Sequence, residues 1–126
     1  MGTAEAPERL LLEYRLDSGV AVVTVSGEVD VSTCGYLRDG LNRVVTDAYC
    51  QGLVVNLAGV NFIDSTGFGV LVGVWHRVSA TKFGLALAAP SRRARDVLDT
   101  TGLIKAFSVY DTEAEAVRAC CRSDAG

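Results

Sequence analysis

Leu53-Val54-Val55-Asn56-Leu57 is a short, almost wholly apolar run, and seven residues beyond it Asp64-Ser65-Thr66-Gly67 opens a second apolar stretch that continues to about Ser79. A brief apolar run with no alternation suits a central strand covered on both faces. The stretch after Asp64 is too long for a strand and begins with three consecutive residues able to cap a helix. A buried strand, a loop and then a helix is the unit of a layered α/β fold, and the rest of the chain extends that unit in both directions.

Upstream, Leu10, Leu12, Tyr14 and Leu16 share one face of an extended strand. Asp17-Ser18-Gly19 makes a turn, and Val20 to Ser26 is a β-branched partner, so the pair reads as a hairpin. Gly27-Glu28-Val29-Asp30 leaves that strand, and Ser32 or Thr33 is placed to cap a first helix. Leu37, Leu41, Val44, Val45 and Ala48 form its apolar stripe, and Gly52 ends it. Downstream, Gly84 to Ala89 is another buried strand, and Pro90 and Ser91 start a third helix that stops at Gly102. Phe107 to Tyr110 is a brief last strand, and Thr112-Glu113-Ala114-Glu115 has the spacing of a capping box. The order is ββαβαβαβα: an α/β fold with a mixed β-sheet, an N-terminal antiparallel hairpin and about four helices. Residues 1–8 read as a loose tail, 9–122 as a single domain and 123–126 as a C-terminal tail.

Composition narrows the function. With 126 residues, 49% hydrophobic and 21% charged, the chain has a globular balance and room for one domain. A net charge of −3 argues against direct nucleic-acid binding, which wants a basic surface. The cluster Arg92, Arg93 and Arg95 reads as the solvated face of a helix. The longest uncharged apolar run, Phe68 to Trp75, is too short for membrane insertion. Met1 to Glu8 lacks the basic start and apolar middle of a signal peptide, so the expected location is cytoplasmic. Cys34, Cys50, Cys120 and Cys121 form no C-x-x-C pair, and His76 is the one histidine, so the parts of a zinc site are missing.

Functional groups in such sheets gather where strands end and helices begin, which selects two loops, Gly27 to Thr33 and Asp64 to Gly67. Three capping residues before one helix are more than it needs, and a surplus hydroxyl at the positive helix end suits a phosphate. A redundant cap accounts for the same residues equally well. Gly67, Gly69 and Gly73 follow in the helix, where interior glycines cost about 1 kcal/mol each relative to alanine. Close packing on the sheet, or a partner's backbone passing near, would compensate.

Enzyme chemistry fits these residues poorly. His76 lies eleven residues after Ser65 on the same helix, roughly 16 Å along the axis, beyond the reach of a Ser–His pair. Ile63 stands where a G-x-S-x-G elbow needs glycine. The glycines at 67, 69 and 73 miss the dinucleotide spacing by one residue, and no Walker A sequence occurs. Asp30 and Asp64 are isolated carboxylates and a weak magnesium set. No cofactor is expected.

Asn61-Phe62-Ile63-Asp64-Ser65-Thr66-Gly67-Phe68-Gly69-Val70-Leu71 resembles the signature of STAS domains, the family of bacterial anti-sigma factor antagonists. Gly27-Glu28-Val29-Asp30 resembles the family's second conserved turn. Leu98 to Leu103 with Phe107 to Thr112 resembles its C-terminal segment. The likeness spans about residues 10 to 120, in order. It implies a STAS-like fold and a protein that binds its partner without catalysing a reaction. It also implies that Ser65 is the phosphoacceptor of a serine kinase that is itself the anti-sigma factor. Unphosphorylated antagonist binds that kinase and frees a sigma factor, and a serine phosphatase resets the cycle. The implied contact surface comprises Asp30, Ser32 and Thr33 with Asp64, Thr66, Gly67 and Phe68. Thr66 stands where serine is also common, and Phe68 where a smaller aliphatic residue is frequent. These departures bear on the choice of partner. The alternatives are a STAS-like accessory subunit of a transporter or signalling assembly, acting without phosphorylation, and a nucleotide-binding domain.

Overall fold

The hairpin that opens the fold closes through Ser18 and Gly19, both at positive φ (56° and 82°). Such a two-residue turn matches the right-handed twist of its flanking strands. It joins β1 (Leu10–Asp17) to β2 (Val20–Val29) in antiparallel register. The computed structural model describes residues 9–47, 50–79 and 83–122. The expected tails, 1–8 and 123–126, and Ala48 lie outside the described residues. After the hairpin come α1 (Cys34–Asp47), β3 (Gly52–Ile63), α2 (Ser65–Val78), β4 (Gly84–Ala88) and α3 (Arg92–Thr101). A 3₁₀ turn (Leu103–Lys105), β5 (Val109–Tyr110) and α4 (Glu113–Arg122) complete the chain order. The five strands lie side by side in sequence order, with β1 antiparallel to β2 and the later pairs parallel. This is the expected mixed sheet.

Alternation along the strands divides the core. Ala21, Val23, Val25, Leu53, Val55 and Leu87 face α1, α2 and α3. Val20, Val22, Val54 and Ala86 face α4, through Ala116, Val117 and Cys120. Cys120 is a small apolar filler, and burial pushes its thiol up to about 11, so it stays protonated at neutral pH. The helix ends follow the residue types. Ser91 accepts the Ala94 N–H, and Gly102 stops α3 at φ 80°. Thr112 and Glu115 bond reciprocally to one another's backbone N–H.

Two expectations are corrected. The segment between Leu57 and Asp64 is strand rather than loop: β3 continues through Ile63, with Val60 and Ile63 buried. β2 likewise continues through Gly27 and Glu28 to Val29, with register shifts beside Ser26 and Gly27. Gly27 sits at φ 111°, and a Cβ there would lie 2.0 Å from the Arg9 carbonyl oxygen, so only glycine lets β2 pass. The apolar face of β1 is buried only at its start: Leu10 is covered, while Tyr14 and Leu16 are 49% and 52% exposed.

Candidate functional site

The extra length of β2 and β3 is what builds the site. Val29 pairs with Ile63 in parallel register, so Asp30 and Asp64 leave neighbouring strands at the same edge of the sheet. The first turn of α2 is drawn onto that edge at Gly67, where a Cβ would come within 2.6 Å of the Val29 side chain and 2.9 Å of Ile63. Glycine there holds the helix start against the turn that follows Val29.

In that turn Asp30 is the organiser. Its carboxylate accepts the N–H groups of Ser32 (2.9 Å) and Thr33 (3.2 Å) and the Ser32 hydroxyl (2.7 Å). Its carbonyl accepts the N–H groups of Thr33 and Cys34 at the start of α1. Arg9 joins the Asp30 carboxylate (2.8 Å) to Glu28 (2.5 Å) and also reaches the Ser32 hydroxyl. The Arg9 guanidinium and the Ser32 hydroxyl together hold the Asp30 carboxyl well below the usual carboxylate range. The side chain that takes up N–H groups in the turn before α1 is therefore that of Asp30. Thr33 is 1% exposed, with its hydroxyl accepting the Asp30 N–H (3.0 Å) and donating to the Glu28 carbonyl (2.9 Å).

Asp30 thus shapes its turn as well as displaying a charge, and Asp30→Ala should lower the melting temperature. The carboxyl is depressed in the folded state, so its contribution is present above the ordinary value of about 3.9 and is lost as pH falls through its own lower one. Thermal melts should show a constant gap between wild type and Asp30→Ala from neutral pH to about pH 5, narrowing only below about pH 4. A gap that closes nearer neutrality would assign the effect to another group.

At the second loop, Asp64 is extended (φ −121°, ψ −174°) and its side chain accepts the Gly67 N–H at 3.0 Å. One cap suffices. Ser65 and Thr66 are both exposed, and neither hydroxyl has a hydrogen-bond partner among the described residues. Ser65 is the first residue of α2, where helix N–H groups lack intrahelical acceptors. Phe68 is 0% exposed and Gly67 is buried. Of the expected contact residues, then, Asp30, Ser32, Asp64 and Thr66 present side chains to solvent beside Ser65. Thr33, Gly67 and Phe68 are buried beneath that surface, Gly67 against Val29 and Ile63 and Phe68 in the core.

The sequence reading missed three features. Arg9, before the first strand, locks the Asp30 turn. Val31, between Asp30 and Ser32, is 76% exposed, an apolar side chain standing free at the site; its signal was an isolated apolar residue in a polar turn. The third is a groove of about 460 Å³ between α1 and α2, lined by Arg38 and Asn42 on one side and Thr66, Gly69, Gly73 and Arg77 on the other. Arg77 closes it by donating to Asn42 (2.8 Å) and Thr46 (2.6 Å). A Cβ at Gly69 or Gly73 would meet nothing within 4 Å. Packing inside the chain explains Gly67 and leaves these two unexplained.

The remaining candidates add no chemistry to Ser65. α2 is unbroken from Ser65 to Val78, so Ser65 and exposed His76 are separated along its axis. In the basic cluster, Arg95 pairs with Asp111 (3.4 Å) and Arg93 lies over the Phe62 ring (4.8 Å). Among the described residues, no helix is long and apolar enough to cross a membrane.

This fold is that of a known class. The STAS domain family model matches residues 12–116, and the chain belongs to that family. It is 29% identical over 108 residues to an anti-sigma F factor antagonist of Paenibacillus polymyxa, covering 86% of this chain and 92% of that one. It is 34% identical over 94 residues to an anti-sigma-B factor antagonist of Staphylococcus epidermidis, covering 74% and 86%. A crystal structure of an anti-sigma factor antagonist from Mycobacterium paratuberculosis superposes with a TM-score of 0.83 at 31% identity, covering 93% of this chain and 98% of that one.

Proposed function

We propose that the protein is an anti-sigma factor antagonist: it binds a serine kinase that acts as the anti-sigma factor, frees a sigma factor, and is released when that kinase phosphorylates Ser65. A serine phosphatase then restores the binding form. The observation that carries this reading is the division of labour at α2, where Asp64 caps the helix and leaves the Ser65 hydroxyl exposed and unbonded. A residue serving only as a cap would be bonded. The surface around it suits a protein partner. Val31 supplies an exposed apolar contact, Asp30 and Ser32 a rigid polar edge, and Gly69 and Gly73 an open helix face that a partner's backbone can approach closely. The protein acts in this scheme by binding, with the kinase as the enzyme.

Incubation with ATP and a candidate kinase, followed by phosphopeptide mapping, tests the assignment. Phosphate should appear on Ser65, and Ser65→Ala should abolish labelling while leaving kinase binding intact. Phosphate on Thr66 would overturn the residue assignment. Tight kinase binding with no phosphorylation at any residue would overturn the switch and favour an accessory-subunit role.

A further inference from the structure

The edge of the sheet farthest from β5 is unfinished. β1 is an edge strand of eight residues. The Glu28 N–H bonds the Arg9 carbonyl at 2.7 Å, and the β1–β2 register continues that pairing. Hydrogen-bonded and non-bonded pairs alternate along an antiparallel ladder, so Leu11, Glu13, Arg15 and Asp17 spend their backbone groups on β2. Leu12, Tyr14 and Leu16 direct theirs outward, where no other described segment bonds them. Three apolar side chains on this strand are half exposed: Leu11 on one face, Tyr14 and Leu16 on the other. Long, unpaired, apolar edges are templates for another strand.

The side chains select which strand. We infer that two copies of the chain join edge to edge, β1 against β1, in an antiparallel pair whose two-fold axis passes through Tyr14. In this register Tyr14 faces Tyr14 of the second copy, and Leu12 faces its Leu16. On the opposite face Glu13 stands opposite Arg15 of the second copy, and the symmetry repeats that pair. Residues 12, 14 and 16 are the ones with outward backbone groups, so they supply the ladder, while 13 and 15 form the non-bonded pairs whose side chains approach most closely. Glu13 makes no ion pair among the described residues and is available. Arg15 already bonds Asp17 (3.2 Å) and Glu113, and has further donors to give. The neighbouring registers fail on charge: centring on Glu13 sets Glu13 against itself, and centring on Arg15 sets Arg15 against itself and Glu13 against Asp17. Like charges directly opposite are destabilising.

The result is a continuous ten-stranded sheet. The Arg9 end of β1 adjoins Asp30 and the strands run antiparallel, so the two Asp30–Ser65 surfaces sit at opposite ends, both open. This inference is independent of the proposed function.

Sedimentation of the full chain over a range of concentrations should show a monomer–dimer equilibrium. Glu13→Arg should weaken the dimer at least about tenfold, and combining it with Arg15→Glu should recover part of the loss, since the charges again oppose. Tyr14→Pro should abolish the dimer while circular dichroism reports a folded protein, because the lost N–H faces away from β2. Tyr14→Cys should form an interchain disulfide on mild oxidation, its Cα atoms lying about 5.5 Å apart across the axis. Leu11→Cys, opposite Asp17, should not, and the wild type controls for the four native cysteines. A monomer at every concentration would overturn the inference. So would a dimer that tolerates Tyr14→Pro, or one that cross-links as readily through Leu11→Cys.

Discussion

Phosphorylated on Ser65, the protein should bind its kinase about a hundredfold more weakly or worse, with its fold and melting temperature almost unchanged. The two halves of this expectation come from one location. A phosphate on the first residue of α2 meets unpaired N–H groups and the positive helix end, a gain of about 0.3–1 kcal/mol and at most about 2. The Asp64 carboxylate, held at the Gly67 N–H in the same turn, opposes it. The net effect on stability is small.

A partner seated on Val31, Asp30 and the groove side of α2 meets something different. Nearly two negative charges and added bulk appear in the middle of its contact, and desolvating them without a matching arginine costs several kcal/mol. Each 1.4 kcal/mol is tenfold in affinity, hence the hundredfold. Comparing kinase affinity, melting temperature and backbone NMR spectra of the two forms is decisive. Equal affinities, or chemical-shift changes spreading through the sheet, would rule out a switch that works by surface charge.

The second large effect lies one turn deeper. Phe68→Ala should cost about 3–5 kcal/mol, because the ring is fully buried in the main core cluster with Leu37, Leu57 and Leu71 and leaves a cavity when removed. For a domain of this size the melting temperature should fall by roughly 10 °C or more. Thr66→Ala, two residues away and exposed with no hydrogen bond, should stay within about 0.5 kcal/mol of wild type. Thermal denaturation of the pair separates support from surface. A Phe68→Ala protein that melts like wild type but has lost its partner would return Phe68 to the contact surface.

Much of this protein was legible in its sequence because the signals are local. Element order followed from apolar periodicity and from caps that act within one turn: Ser91 at α3, Gly102 at its end, Thr112 with Glu115 at α4. The Asp64 to Gly67 loop announced itself by composition, and the resemblance to the family rested on residues that stand in the right order. The ends of the central strands were not legible. Polar Asn61 and the glycines at 27 and 59 interrupt the apolar pattern, so Gly27 to Asp30 and 58–63 read as turn and loop. Gly27 to Val29 and 59–63 are strand because they pair with one another, a stabilisation that exists only once both are in place, and only Asp30 is left in the turn.

The same distinction governs the site. The sequence by itself determined that two polar turns stand at strand-to-helix junctions and that Asp64, Ser65 and Thr66 exceed what capping requires. Only the tertiary structure decided how these residues share the work. The Val29–Ile63 register sets the two turns side by side, Gly67 draws α2 onto Val29, and Arg9, distant in sequence, locks Asp30. Burial then puts Thr33 and Phe68 beneath the surface and leaves Val31, Gly69, Gly73 and the outer half of β1 uncovered. Periodicity reports which side of an element is apolar. Whether that side is covered depends on where its neighbours end, and that is settled by packing across the sheet.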